Sequence, residues 1–231
     1  MNHIELAEDP AEESWLNINA IDDLILQIIT TLDKVTLSAV SGSAGAGGAI
    51  LALAADKAFV REGTILNPHY KNMGQLYGSE YWTYLLRKRV GEKMAATLTD
   101  EKRVPISAKK AWHIGMIDQV LDKNYALFSA QVKHLANAYV ADRSLLQHML
   151  TEKAKTRCFD EANKALASYR KFELTQMHAN CYGSEAYHTA RKNFVYKISD
   201  DKTPVNIAAH RQKEGLSNQP ASGCMSHFVW Q

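Results

Sequence analysis

Between Ser41 and Asp56 the chain reads Ser-Gly-Ser-Ala-Gly-Ala-Gly-Gly-Ala-Ile-Leu-Ala-Leu-Ala-Ala-Asp. Glycines ahead of an apolar helix let the backbone turn sharply and let a ligand come close to main-chain N–H groups. A fixed N–H at a helix start, helped by the positive end of the helix dipole, suits an oxygen that gains negative charge during a reaction. The same glycines also suit close packing of a strand on a helix, and the local pattern leaves both readings open. A second place for chemistry is the loop Asn67-Pro68-His69-Tyr70-Lys71-Asn72-Met73-Gly74. Its His69 is a residue type that moves protons or binds metal. No second ligand stands at metal-site spacing, so no metal is expected. Direct chemistry by His69 and support of its neighbour Tyr70 both remain open.

Such a glycine turn needs a strand before it and a strand after its helix. Val35 to Val40 is β-branched and apolar and reads as the first strand; Gly48 to Ala55 reads as a short buried helix. Lys57 to Leu66 contains a second strand, interrupted by the turn residues Glu62 and Gly63. The β–α–β order predicts a parallel, right-handed crossover. Ahead of it, Leu16, Ile18, Ile21, Leu24, Ile25, Ile28 and Ile29 recur at helical spacing, predicting a helix from Glu12 to Leu32 that Asp33 ends. Downstream, Ser79 is expected to cap a helix from Glu80 to Arg89, and Ser107 a helix that Gly115 stops. Ile117 to Leu121 reads as a short strand, and Asn124 to Ala179 as helical almost throughout. The stretch after Ile198 is polar, and Ser217 to Gln231 is expected to be loosely ordered. The division that follows is a core over 1–122, a helical region over 123–198 and a polar tail over 199–231.

At 231 residues, 46% hydrophobic and 23% charged, the chain is long enough for one substantial domain or a domain with an appendage. A net charge of +2 points to no nucleic acid or other polyanion as partner. The three cysteines, Cys158, Cys181 and Cys224, form no CxxC pair, which fits a reduced, cytoplasmic setting. The first nine residues are acidic and lack the apolar core of a signal peptide. No apolar run is long enough to span a bilayer, so no membrane is expected as partner; the stretch Asp22 to Ile29 is too short and too charged.

The order of strand, glycine turn, helix, strand and Pro-loop is followed by Ser107-Ala108-Lys109-Lys110-Ala111-Trp112-His113-Ile114-Gly115-Met116-Ile117-Asp118-Gln119-Val120. That succession resembles the crotonase (enoyl-CoA hydratase/isomerase) superfamily over roughly 36–121. A narrower likeness is carried by Ala44 to Gly48, Leu51 to Asp56, Leu66 to Tyr70, and Leu76 to Tyr84, and again by Cys181 to Gly183 and Tyr187 to Lys197. These segments resemble the crotonase-like half of the HypX/HoxX hydrogenase-maturation proteins. The resemblance implies an α/β fold of the ClpP/crotonase β-β-α spiral type with a helical C-terminal extension. It implies an acyl-CoA substrate, formyl-CoA, split into CO and coenzyme A to supply the CO ligand of a [NiFe]-hydrogenase. In that family tetrahydrofolate belongs to a separate formyltransferase-like domain, which the resemblance does not place within these 231 residues. Such a separate half, or other hydrogenase-maturation proteins, would be its partners. The resemblance also places the family's first oxyanion segment ahead of Met1, so the crotonase domain is expected to be N-terminally truncated.

Carried onto single residues, the resemblance makes Gly47 the donor of an oxyanion N–H, with Gly45 and Gly48 shaping the turn that meets the coenzyme A thioester. It places the two glutamates of a hydratase at Ile50 and about His69. Adding water across C=C needs a paired acid and base, so hydration is not expected. Tyr70 and Glu80 fall where the superfamily places reacting groups, Glu80 to move a proton and Tyr70 to orient it. Outside the resemblance, Glu80 would be a charge at a helix start and Tyr70 a loop aromatic with a solvated hydroxyl. Tyr77, Tyr81, Trp82 and Tyr84 read as wall and core; Lys71, Arg87, Lys88 and Arg89 read as a solvated helix end that could also meet coenzyme A phosphates. Two other functions stand beside the first: a generic enoyl-CoA hydratase or isomerase, and an inactive remnant that serves as an interaction module.

Overall fold

Asp9 starts the first long helix. Its Oδ1 accepts from the N–H groups of Ala11 at 3.0 Å and Glu12 at 3.1 Å, and Pro10 opens the first turn. In the computed structural model, which describes residues 2–73, 75–101, 104–183, 188–189 and 191–193, this helix is α2 (Pro10–Thr30), after a single turn, α1 (Asn2–Glu5). Its buried face is Ser14, Ile18, Asp22, Ile25 and Ile29, while Leu16 and Leu24 of the expected apolar stripe are exposed. The expected polar tail, 199–231, lies outside the described residues, which fall within one compact unit over 1–196.

Two small sheets carry the glycine turn. β1 (Leu37–Val40), β3 (Lys57–Arg61) and β6 (Gln119–Leu121) form an all-parallel sheet in the order β1-β3-β6, with Leu37 opposite Lys57 and Phe59 opposite Gln119. β2 (Ala44–Gly45), β4 (Ile65–Asn67) and β5 (Ile106–Ser107) form the second, in the order β2-β4-β5. Gly45 stands opposite Asn67 in a parallel pair, and β5 is antiparallel to β4. The stretch expected as one interrupted strand therefore serves two sheets, turning at Gly63, whose φ is +85°. Between β2 and β3 lies α3 (Gly47–Leu53), so the parallel β–α–β crossover is present.

The helices close around these sheets. α4 (Trp82–Ala96) is kinked at Gly91, and α5 (Ala108–His113) has Ser107 as N-cap, its hydroxyl accepting from Lys110 N–H at 3.2 Å. Gly115, at φ +78°, ends that turn, as the sequence predicts. The long helical region resolves into α6 (Tyr125–Ala141), α7 (Arg143–Asn163) and α8 (Leu166–Tyr182). Phe128 of α6 packs with Phe59 and Leu121 on one side of the parallel sheet. The larger core joins α2, α3, α4 and α8 through Ile25, Ile50, Leu86, Met177 and Cys181. Arg89, expected at a solvated helix end, is instead half-buried and paired: it bonds Asp118 at 2.7 Å and the Ala55 carbonyl at 2.9 Å. The expected α4 boundary is also displaced. Ser79 does not cap it; Tyr81 is the N-cap, and Glu80 precedes the helix.

Candidate active site

The α3 start is built on a conformation that an L-residue rarely takes. Ala46 has φ +49° and ψ −128°, and it supplies no side-chain cap. Its N–H is held by the Asn67 carbonyl at 2.8 Å, and its own carbonyl accepts from Ala49 at 3.0 Å and Ile50 at 3.1 Å. This arrangement turns the chain out of β2 and points the first turn of α3 toward the segment before α4. There the space at Gly47 is filled from outside: a Cβ on that residue would meet the carboxyl of Glu80, with Cδ at 3.0 Å. Gly47 is therefore a glycine because a carboxyl group stands against its Cα. Around Gly48 the nearest atom to such a Cβ is Ala44 Cβ at 3.9 Å, and around Gly45 it is the Asn67 carbonyl oxygen at 3.9 Å, both ordinary contacts.

Glu80 reaches this place through backbone strain. Glu80 has φ +65° and Tyr81 φ +56°, two consecutive left-handed residues that are not glycine. Each such residue is unfavourable by roughly 1–3 kcal/mol and persists only where the surroundings over-determine it. The side chain is 4% exposed, and its Oε2 accepts from the Ser79 N–H at 2.9 Å. Burial pushes its pKa up to about 7, against the lowering effect of the Tyr70 and Ser79 hydrogen bonds; the Asp22 charge adds to the rise. Both protonation states are thus available near neutral pH. A charge at a solvated helix start does not describe this residue, because it is buried and outside the helix.

Tyr70 completes the group. It is 4% exposed, and its hydroxyl lies 3.4 Å from the Ser79 carbonyl and within the hydrogen-bonding influence of Glu80. A solvated hydroxyl is thereby excluded. Burial first, then the Glu80 charge, holds this phenol well above its ordinary value, so it acts as an O–H donor. Gly78, at φ +86°, makes room for the ring: a Cβ there would lie 2.6 Å from Tyr70 Cγ. His69 is 3% exposed in the same loop, while the groups acting on Glu80 are Tyr70, Ser79 and Asp22. Ile50 is fully buried in the core. The structure therefore brings Gly47, Tyr70 and Glu80 together and leaves Gly45 at the end of β2 and Gly48 in the first turn of α3 beside them. Among the described residues no group of three acids, histidines or cysteines could hold a metal ion. No helix among them is long and apolar enough to cross a membrane.

Two buried acids whose role the sequence did not single out flank the segment that carries Glu80. Asp22 of α2 is fully buried and accepts from the Glu80 N–H at 2.7 Å and the Ser79 hydroxyl at 2.7 Å. Glu173 of α8 is fully buried and accepts from Thr83 N–H at 2.8 Å and from the Thr83 hydroxyl. Burial pushes Glu173 up to about 8, outweighing the Thr83 hydrogen bonds, and raises Asp22 as well. A sequence signal existed for both acids. Asp22 sits on the apolar stripe with Ile18, Ile25 and Ile29, and Glu173 on that with Leu166, Met177 and Cys181. An acid on the buried face of an amphipathic helix asks for a partner.

A cleft of about 510 Å³ between α2, α4 and α7 lies apart from this group. Its cations are matched by acids: Lys153 by Asp56 at 2.7 Å, Arg157 by Glu161 at 2.7 Å, and Lys88 by Asp160. A smaller cavity of about 90 Å³ opens against Tyr70, bounded by Tyr77, Trp82 and Arg87.

Comparison with known proteins agrees with this architecture. The model of the family described as "Enoyl-CoA hydratase/isomerase" matches residues 6–199. The hydrogenase maturation factor HoxX of Bradyrhizobium diazoefficiens is 46% identical over 209 residues, which is 90% of this chain and 36% of that protein. The crystal structure of HypX from Aquifex aeolicus in complex with tetrahydrofolic acid superposes with a TM-score of 0.82 at 43% identity, over 94% of this chain and 38% of that one. An enoyl-CoA hydratase from Bacillus halodurans shares the fold at a TM-score of 0.63 and 18% identity, over 76% of this chain and 66% of that one. The chain thus spans little more than a third of the length of its HoxX and HypX relatives.

Proposed function

The chain belongs to the enoyl-CoA hydratase/isomerase family, and we propose that it is the acyl-CoA-handling part of a HypX/HoxX-type hydrogenase maturation factor, splitting formyl-CoA into CO and coenzyme A. The observation that carries this reading is the meeting of a buried carboxyl, Glu80, with Gly47 and Tyr70. In the reaction the formyl C–H bond and the C–S bond break, the carbon leaves as CO, and the thiolate sulfur gains a proton. The net change needs neither oxidant nor water. One group must take the formyl proton and one proton must reach sulfur, and a carboxyl titrating at about 7 in a site closed to water can do both. The Gly47 N–H, in the first turn of α3, polarises the thioester oxygen and acidifies the formyl C–H in this reading. The Tyr70 hydroxyl orients the carboxyl.

Hydration fits the same site poorly. Ile50 and His69, where the resemblance puts a hydratase's glutamates, supply no carboxyl pair, which leaves Glu80 without a second acid aimed at an alkene.

The test is Glu80→Gln in the full chain, measured as CO release from formyl-CoA. Glutamine keeps size and polarity and cannot carry the proton, so the rate falls by roughly 10²-fold or more with folding intact. Tyr70→Phe loses less, since it removes an orienting donor only. Release at the wild-type rate by Glu80→Gln removes Glu80 from the mechanism.

A further inference from the structure

We propose that Asp22 and Glu173 are positioning residues that clamp the Ser79–Thr83 segment from two flanking helices and so aim the Glu80 carboxyl at Gly47. The proposal rests on the reading of Glu80 as the proton carrier. Its geometry is one of matched grips. Asp22 takes one backbone N–H, that of Glu80, and one hydroxyl, that of Ser79. Glu173 takes one backbone N–H, that of Thr83, and one hydroxyl, that of Thr83. Between the two grips lie the two left-handed residues, Glu80 and Tyr81. Ser79 joins the grips, since its hydroxyl is 2.7 Å from Asp22 and 3.5 Å from Glu173.

The N-cap of α4, Tyr81, offers no side-chain bond to the first-turn N–H groups, and Glu173 satisfies Thr83 from α8 instead. Two fully buried acids on apolar helix faces are unfavourable unless their hydrogen bonds accomplish something the fold needs. Neither grip shows an atom aimed at Gly47, whereas the residue held between them stands against it. The charges around the clamp are Arg170, whose Nε is 3.8 Å from Asp22, Asp23 paired to Arg170, and Glu80 itself; the Tyr70 and Tyr81 phenols face the same acids. Burial pushes Glu173 up to about 8, which favours its protonated form at neutral pH, so glutamine is its nearest analogue: the carbonyl oxygen still accepts from Thr83 and the –NH2 faces Ser79.

The clamp is tested without any turnover. The full chain is labelled with carboxyl-¹³C glutamate, Glu80 is assigned by Glu80→Gln, and its NMR titration midpoint is followed. In the wild type the midpoint is expected at about 7. Glu173→Gln leaves it there, because the grip on Thr83 is kept. Glu173→Ala releases the segment, Glu80 becomes hydrated, and the midpoint falls by about one unit or more toward the ordinary carboxylate range. A residue that only stabilises the fold would lower the melting temperature and leave the midpoint of the folded chain in place. A folded Glu173→Ala chain with an unmoved midpoint, or identical behaviour of the alanine and glutamine variants, overturns the proposal. Should Glu173→Ala not fold, hydrogen exchange of the wild type decides. The Glu80 and Thr83 amides exchange as slowly as the α2 and α8 core under the clamp, and exchange at the rate of an exposed loop overturns it. A chain that shows these shifts and releases no CO keeps the clamp and loses the proton-carrier reading.

Discussion

Replacing Gly47 by alanine isolates the contact at the centre of the site. The substitution adds one methyl group, which would stand 3.0 Å from Glu80 Cδ and closer still to Oε1. Ordinary carbon contacts begin near about 3.5 Å, so the carboxyl must retreat by roughly half an ångström to one ångström. It cannot simply swing aside, because Oε2 is tied to the Ser79 N–H at 2.9 Å and the backbone of Glu80 to Asp22 at 2.7 Å. A misplacement of about 1 Å at a reacting group lowers a rate by about 10²-fold, equivalent to about 3 kcal/mol of barrier. The effect on stability is smaller: overpacking is unfavourable by about 1–3 kcal/mol, and alanine in a helix returns up to about 1 kcal/mol. Gly48→Ala is the control, since its methyl meets Ala44 Cβ at 3.9 Å and disturbs nothing. CO release is followed by the haem–CO spectrum and stability by circular dichroism melting. Gly47→Ala is expected to be about 10²-fold slower than Gly48→Ala with a melting temperature within a few degrees. Equal rates for the two variants refute the reasoning.

Stability should depend on pH in a direction set by the buried acids. Glu80 and Glu173 titrate at about 7 and about 8, above the ordinary 4.5, so the native chain keeps protons that the unfolded chain releases. Their contribution is full below about pH 4.5 and is lost as pH rises through 7 and 8; the melting temperature therefore falls from pH 5 to pH 8, and the double variant Glu80→Gln, Glu173→Gln flattens that slope. Crotonyl-CoA should not be hydrated, because Ile50 and His69 offer no pair of carboxyl groups; a decrease in enoyl-thioester absorbance above the uncatalysed rate contradicts this.

The glycine run and its surroundings were legible because their signals are local. A β-branched strand, small residues and an alanine-rich helix predict the β1–α3–β3 crossover, and Ser107 with Gly115 predicts both ends of α5. The family resemblance is carried by the same segments. Less of the second sheet could be read, since β2 and β5 have two residues each and show no periodicity. The start of α4 was misread for a physical reason. Ser79 has the residue type of an N-cap, but its hydroxyl is taken by Asp22 of a distant helix, and Glu80 and Tyr81 are left-handed. No local preference reveals a strained backbone held by tertiary contacts. Asp22 and Glu173 are the intermediate case: each interrupts an apolar helix face, which marks it as buried, while the donors it meets lie 58 and 90 residues away in the chain.

The chemical outcome at formyl carbon is the most direct test of the whole account. The full chain is incubated with formyl-CoA labelled with ¹³C at the formyl carbon, under reduced haemoglobin as a trap, while free thiol is measured in parallel. The arrangement of Glu80, Tyr70 and Gly47 predicts one ¹³CO–haem adduct for each coenzyme A thiol released and no labelled formate. Thiol release matched by labelled formate would mean that water reaches the thioester and that the chain hydrolyses formyl-CoA, which contradicts the decarbonylation reading.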